Sequence, residues 1–294
     1  MTSTKSCFIV GLPSTGKTSF LAALAYSLEQ RKIPTRLRWE QFSGNQRYLA
    51  KLAETWCAGI QVPRTMLDTQ QESLRLSLID ADGGTCDVAF PDLSGETFQT
   101  QYMDREIRHS LAKTVQNSGS FLLFLNPEKI VEPVLIADLP SGTRHSKDTE
   151  NVEGTELGKR DPLHDDATAA QLVVLLQDFI ALRKGRRFPL GVVVSAWDIV
   201  KDDYKFPQDF VKHHLPLLWQ YLVSNSDALF TRYYGVSAQG GSLQSPEEAE
   251  CLVEQFEDRP LHRILVVDES GVVSHDITIP LWEMMNAQTE EETL

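Results

Sequence analysis

The eight residues Gly11-Leu12-Pro13-Ser14-Thr15-Gly16-Lys17-Thr18 fit the pattern G-x-x-x-x-G-K-[ST], and no other stretch of the chain restricts its fold as strongly. With glycine at about 7% of residues, chance produces this pattern in roughly one chain in a hundred of this length. The setting narrows it further. The apolar run Cys7-Phe8-Ile9-Val10 precedes it, and Phe20, Leu21, Leu24 and Leu28 follow at helical spacing. A loop between a buried strand and an amphipathic helix is where these residue types hold phosphate. Main-chain N–H groups at a helix start, aided by the helix dipole, offer several donors to phosphate oxygens. Gly11 and Gly16 allow a tight loop without Cβ interference. Lys17 supplies a cation to the outer phosphates, and the Thr18 hydroxyl can ligate Mg²⁺. Pro13 has no N–H to give, so the donors are expected from Ser14, Thr15, Gly16, Lys17 and Thr18, with Ser19 beside them.

The rest of the chain alternates short apolar runs with helical patterns. Strands are expected at Cys7–Gly11, Ser73–Ile79, Thr85–Phe90, Ser120–Asn126, Gly191–Ala196 and Thr231–Ser237, each bounded by Gly, Pro, Asp or other turn residues. Helices are expected at Lys17–Gln30, Gln46–Trp56, Gln99–Gln116, Thr168–Lys184 and Phe210–Val223. That alternation predicts an α/β fold of three layers, a mostly parallel sheet with helices on both faces. The turn-rich Asp80-Ala81-Asp82-Gly83-Gly84 joins two of the strands as a hairpin, which gives the sheet one antiparallel strand. A single domain over 1–294 is expected. Residues 138–166 carry almost no apolar side chains and are expected to form a flexible polar insertion; 287–294 are expected to be a frayed acidic tail.

Charge excludes one class of function. The formal net charge is −13, and a general nucleic-acid coat needs a surplus of Lys and Arg, so no direct nucleic-acid binding is expected. Residues 1–64 are nevertheless net +6, which suits a small polyanion, while 245–294 are net −11. Cys7, Cys57, Cys86 and Cys251 form no CxxC pair, so neither a zinc site nor a disulfide framework is expected. The longest early apolar run is too short for a membrane span, and a cytoplasmic location is expected.

Three further motifs lie in order down the chain. Phe90-Pro91-Asp92-Leu93-Ser94-Gly95-Glu96 follows the hairpin strand, and a strand-end Asp can hold Mg²⁺ directly or through water. Gly95, three residues after Asp92, can bring its N–H to a γ-phosphate. Val194-Ser195-Ala196-Trp197-Asp198 and Gly235-Val236-Ser237-Ala238-Gln239 end two later strands. For Asp198 there is a bland alternative, a helix cap or turn residue.

Together these residues resemble a Ras-like P-loop GTPase domain over nearly the whole chain. The D-x-x-G segment is similar to switch II, with Glu96 where a water-orienting Gln often stands. Asp198 is similar to the guanine-reading Asp of [NT]-K-x-D, although Ser195 and Ala196 replace the Asn and Lys. Ser237-Ala238 is similar to the S-A loop that touches the guanine carbonyl through main-chain N–H. GLPSTGKTSFLAAL, FPDLSGETF and VVSAWDIV bring the chain closest to the bacterial double-GTPase group, whose members are predicted components of prokaryotic conflict or anti-phage defence systems.

The resemblance implies a P-loop NTPase fold, GTP/GDP and Mg²⁺ as ligands, slow Mg²⁺-dependent GTP hydrolysis and a protein partner from the same operon. It implies Lys17, Gly95 and Glu96 as catalytic residues, with Thr18, Asp92 and a switch I Thr at the metal. Thr65 and Thr69 both qualify for that last place, as they do for ordinary turn residues. An arginine finger could come from Arg64, Arg105 or Arg108, or from another subunit. Two other readings stay open: an ATP-hydrolysing P-loop enzyme, favoured by the missing Asn and Lys, and a non-catalytic nucleotide-sensing scaffold, permitted by Glu96.

Overall fold

The computed structural model describes residues 5–41, 46–61, 74–90, 96–133 and 165–291. The insertion expected at 138–166 lies outside them but for Asp165 and Asp166, and so do Arg64, Thr65, Thr69, Asp92 and Gly95. Of Glu96 only the main chain is described.

Among the described residues nine strands form one sheet: β1 (Lys5–Val10), β2 (Leu37–Gln41), β3 (Leu74–Asp80), β4 (Thr85–Phe90), β5 (Ser120–Leu125), β6 (Phe188–Ser195), β7 (Leu229–Ser237), β8 (Leu265–Val267) and β9 (Val273–Ser274). Their order is β2-β3-β4-β1-β5-β6-β7-β8-β9. From β4 to β7 neighbours pair parallel, with Cys7 opposite Ser120 and Val88, and Val194 opposite Leu125 and Gly235. The expected reversed strand is β3, antiparallel to β4 and to β2. A second reversed strand, β8, adds to the one expected; it pairs antiparallel to β7 and β9. Strands of three and two residues carry too little periodicity to stand out in the sequence.

Helices cover both faces. α1 (Lys17–Gln30), α2 (Gln46–Cys57) and α9 (Ile279–Glu291) share one core, whereas α3 (Glu96–Asp104), α4 (His109–Asn117), α5 (Thr168–Arg183), α6 (Pro207–His214) and α7 (Pro216–Ser224) share the other. α8 (Pro246–Gln255) lies toward the β8 end of the chain. Period-2 alternation divides the strands between these cores. Cys7 and Ile9 of β1 face α1, while Phe8 and Val10 face the second layer; Leu122 and Phe124 of β5 oppose Phe121 and Leu123 in the same way. The α/β class, the mostly parallel sheet and the two helical layers are thus as the sequence predicts.

Two expected helices are each two. The stretch 99–116 breaks after Asp104, where Arg105 adopts φ +57 and lays its guanidinium over the Tyr102 ring at 4.6 Å. The stretch 210–223 breaks at Pro216, which has no N–H to continue α6 and starts α7 instead. α9 continues to Glu291, into the stretch expected as a tail. Among the described residues, no helix is long and apolar enough to cross a membrane.

Candidate nucleotide-binding site

The parallel strands β1, β5, β6 and β7 end on one side of the sheet, and the loops after them line a single cleft of about 500 Å³. Open α/β sheets bind ligands outside the carboxyl ends of their strands, and the volume suits a small molecule. The cleft brings together Ser14, Thr15, Gly16, Lys17, Thr18 and Ser19 from the first motif with Asp198, Ser237 and Ala238 from the last two. Gly11 stands at the root of the same loop. A neighbouring hollow of about 690 Å³ shares only Glu128 and Ile199 with the cleft and contains none of the candidate binding residues named above.

The loop geometry explains the two glycines. A Cβ at Gly11 would lie 2.7 Å from Thr15 Oγ1 and 2.9 Å from the Phe124 carbonyl. Gly16 has φ +86, and a Cβ there would lie 3.0 Å from Ser195 Cβ. Between them Ser14 takes φ +61, and its carbonyl accepts from Asn126 Nδ2 at 2.9 Å. Because a trans peptide is planar, the Thr15 N–H points the opposite way from that bonded carbonyl. Thr15 Oγ1 donates to the Leu12 carbonyl at 2.8 Å, closing the turn.

Lys17 is buried, with its ammonium inside the loop. Nζ donates to the carbonyls of Gly11 at 2.8 Å and Leu12 at 2.7 Å and reaches Thr15 Oγ1 at 3.3 Å. The first main-chain bond of α1 runs from Phe20 N to the Gly16 carbonyl, so the preceding amides have no partner within the helix. Among the described residues no side chain caps this N-terminus, and its first turn holds no acid. α8 differs: Ser245 Oγ accepts from Glu248 N at 3.1 Å, and Glu247 and Glu248 complement its dipole. The start of α1 therefore presents an uncapped positive end to an anion.

At the other end of the cleft, Ser237 Oγ donates to Asp198 Oδ1 and accepts from Gly240 N at 2.9 Å. Asp198 stands in the short 3-10 turn Trp197–Ile199, after Ala196 at φ +47. Trp197 anchors that turn: it is buried, and a Cβ at Gly235 would come within 2.3 Å of its ring. Ser195, in the place of the expected Asn, donates to the Leu125 carbonyl at 2.8 Å. Asp198 is thus a turn residue, and its side chain also pairs with a hydroxyl at the end of the neighbouring strand.

Several lining residues were not singled out from the sequence. Asn126 is the polar stop of the apolar run Phe121–Leu125, which was a readable signal. Lys129 lines the cleft from the turn Pro127–Lys129, and Gln61 reaches it from the end of α2. α2 closes with Gly59 at φ +67, its N–H on the Trp56 carbonyl at 3.1 Å and Ile60 N on Thr55 at 3.1 Å, a Schellman stop. The Trp56 indole donates to the Ala238 carbonyl at 2.7 Å. Arg263 Nη2 donates to the Trp56 carbonyl at 2.6 Å, with the guanidinium 4.1 Å from the centroid of the Trp56 ring. Burial pulls the Arg263 pKa below its ordinary value, and the carbonyl end of α2 offers the compensating partial negative charge. Sequence alone gives no sign that residues 56, 238 and 263 meet.

A family model described as Double-GTPase 1 matches residues 8–284. No curated protein matches the chain by sequence. Among solved structures, it is similar to the Arl6 BBS3 small GTPase from Trypanosoma brucei with bound GppNp, at 10% identity, 88% of this chain and 99% of that one covered, and a TM-score of 0.38. It is similar to the signal recognition particle receptor SRb-GTP/SRX complex from Chaetomium thermophilum at 13% identity, 86% and 99% covered, and a TM-score of 0.39. The S. cerevisiae Ski7 GTPase-like domain, bound to GDP and inorganic phosphate, gives 10% identity, 83% and 45% covered, and a TM-score of 0.40. Likeness at these scores carries no weight for the site.

Proposed function

The chain belongs to the Double-GTPase 1 family, and on that premise we propose that it is a GTP-binding switch with slow Mg²⁺-dependent hydrolysis. The observation that carries this reading is the sharing of one cleft by the Gly11–Thr18 loop and the Asp198–Ser237 pair. One end offers main-chain donors and a buried cation to phosphate; the other offers an oriented carboxylate to the N–H groups of a guanine ring.

The residues present fit a magnesium nucleotide. Gly11 and Gly16 leave the loop open where a Cβ would close it, and Lys17 supplies the charge. Among the described residues no three His, Cys, Asp or Glu side chains gather into a metal site. Mg²⁺ is commonly held by one or two protein groups plus phosphate oxygens, and here Thr18 and Asp92 with Thr65 or Thr69 are its proposed ligands. Bound there, the ion would neutralise charge on the outer phosphates.

Phosphoryl transfer asks for positioning and charge stabilisation. Lys17 would stabilise negative charge on the outer phosphates, Gly95 N–H would hold the γ-phosphate, and Glu96 would orient water. A carboxylate accepts from that water but cannot donate to phosphate, and it is repelled by the anion beside it. Turnover is therefore slow, and a partner supplies the acceleration, including any arginine not given by Arg64, Arg105 or Arg108. That partner is a second GTPase or effector from the same operon, in a prokaryotic conflict or anti-phage defence system. The protein acts in the cytoplasm on guanine nucleotide.

One observation favours ATP instead: Ser195 spends its hydroxyl on Leu125, and Ala196 has no stem to cover a base. Competition between GTP and ATP on the purified protein with Mg²⁺ decides. Preference for GTP, with phosphate release that Lys17→Ala abolishes, supports the reading. Equal or better binding of ATP overturns the guanine assignment, and GTP binding without turnover leaves a nucleotide-sensing scaffold.

A further inference from the structure

The cleft contains a structural link that no motif announces. Trp56 lies in α2, far from β7 in sequence, yet its indole N–H donates to the Ala238 carbonyl at 2.7 Å in a fully buried contact. Trp56 is 0% exposed and packs with Tyr26, ring centroids 4.9 Å apart, in the core between α1, α2 and the sheet. The Ala238 carbonyl is thus drawn toward that core. The Ala238–Gln239 peptide is trans and planar, so the Gln239 N–H points the opposite way. Ala238 and Gln239 both line the cleft at the end where Asp198 stands.

Two residues hold Trp56 in turn. Arg263 bonds its carbonyl and stacks on its ring, and Gly59 N–H shares the same carbonyl. Arg263 also approaches the far side of the loop closely: its carbonyl lies 2.5 Å from where a Cβ of Gly240 would be. The loop after β7 is therefore bonded from α2 and packed closely by the turn Pro260–Arg263.

We propose that Trp56, seated by Arg263, is a positioning residue for base selection: it turns the Ala238–Gln239 peptide so that a donor, not an acceptor, faces the purine 6-position. The inference rests on the guanine reading above and deepens it. A donor there pairs with a 6-oxo group. Without the indole N–H, the buried carbonyl has lost its partner, and rotation of the peptide turns an acceptor toward the base. An acceptor repels a 6-oxo group. Asp198 would accept from N1–H and the 2-amino group beside it, so loss of the 2-amino group tests that contact and not the 6-oxo one.

The test compares four diphosphates by calorimetry: GDP, ADP, IDP, which lacks the 2-amino group, and 2-aminopurine riboside diphosphate, which lacks the 6-oxo group and with it the N1 proton, a loss at Asp198 common to wild type and variant that cancels when their ratios are compared. In Trp56→Phe the preference for GDP over the 2-aminopurine nucleotide should fall by about tenfold or more, while GDP over IDP stays within about twofold. Arg263→Lys, which keeps the cation but loses the bonded stack, should move the same ratio in the same direction by less. It decides alone if Trp56→Phe does not melt cooperatively. Unchanged ratios in a folded variant overturn the proposal, as does a parallel fall of both, which marks general loss of the site. A wild-type protein that does not prefer GDP to ADP overturns the guanine reading itself, and this inference with it.

Discussion

The hydroxyl of Ser237 donates to the carboxylate of Asp198, tying the end of β7 to the turn that follows β6. The bond restricts the rotation of the carboxylate, which is what selective pairing with N1–H and the 2-amino group of guanine requires. Asp198→Asn should shift binding from GTP toward xanthosine nucleotides, because the amide now donates where it formerly accepted. Calorimetry that finds GTP binding unchanged would refute the assignment. Ser237→Ala keeps the charge but frees the side chain, and should weaken GTP binding by about tenfold, with the base preference retained.

How much of this was legible before the fold was known depends on distance along the chain. The cradle is local: Gly11, Gly16 and Lys17 act within one loop, and their spacing states their chemistry. The sheet was legible at β1, β5 and β6, whose buried runs are continuous, but not at β2, where Leu37-Arg38-Trp39-Glu40-Gln41 is half polar and pairs on one side only. Asp198 could be placed at a strand end but not against Ser237. The Trp56–Ala238 contact was invisible, since it spans 182 residues and depends on how α2 packs. The breaks at Arg105 and Pro216 show the two ways a helical pattern misleads. Pro216 was readable from its missing N–H, while no residue type in the sequence marks the positive φ of Arg105.

The proximity of Gly16 and Ser195 makes a testable couple. Gly16→Ala places a Cβ 3.0 Å from Ser195 Cβ and 3.1 Å from its Oγ, at φ +86. It should cost about 1–3 kcal/mol of stability in urea denaturation. Ser195→Gly removes the neighbour at the expense of its bond to Leu125. In the double variant the steric part should disappear and only the backbone strain remain, a positive coupling in the cycle. Strict additivity would show that the two residues do not press on each other.

Lys17 has a structural task that shows in the protein without nucleotide. Its ammonium bridges the Gly11 and Leu12 carbonyls while buried, so Lys17→Ala should lower stability by about 1.5–3 kcal/mol before any ligand is added. GTP with Mg²⁺ at a hundredfold excess over Kd should stabilise the wild type by about 2.7 kcal/mol. The variant should gain none of it. Thermal melts with and without nucleotide separate the two losses. A variant stabilised as much as wild type would remove Lys17 from the phosphate site.

The thiols give a prediction in pH. Burial pushes the Cys7 thiol up from its ordinary value near 9.0 to about 12, and burial raises Cys86 well above that value. A raised folded pKa means the native state keeps its proton after the unfolded chain has lost it. The stabilisation is complete below pH 9 and is lost as pH rises from there toward 12. For Cys7 the slope is about 1.4 kcal/mol per pH unit at most. Cys7→Ala should flatten the alkaline fall in stability by that amount, whatever its cavity costs at neutral pH. A disulfide reagent at pH 8 should label exposed Cys251 quickly and Cys7 only on unfolding. Rapid native labelling of Cys7 would mean that β1 opens beside the cradle, contrary to its central place between β4 and β5.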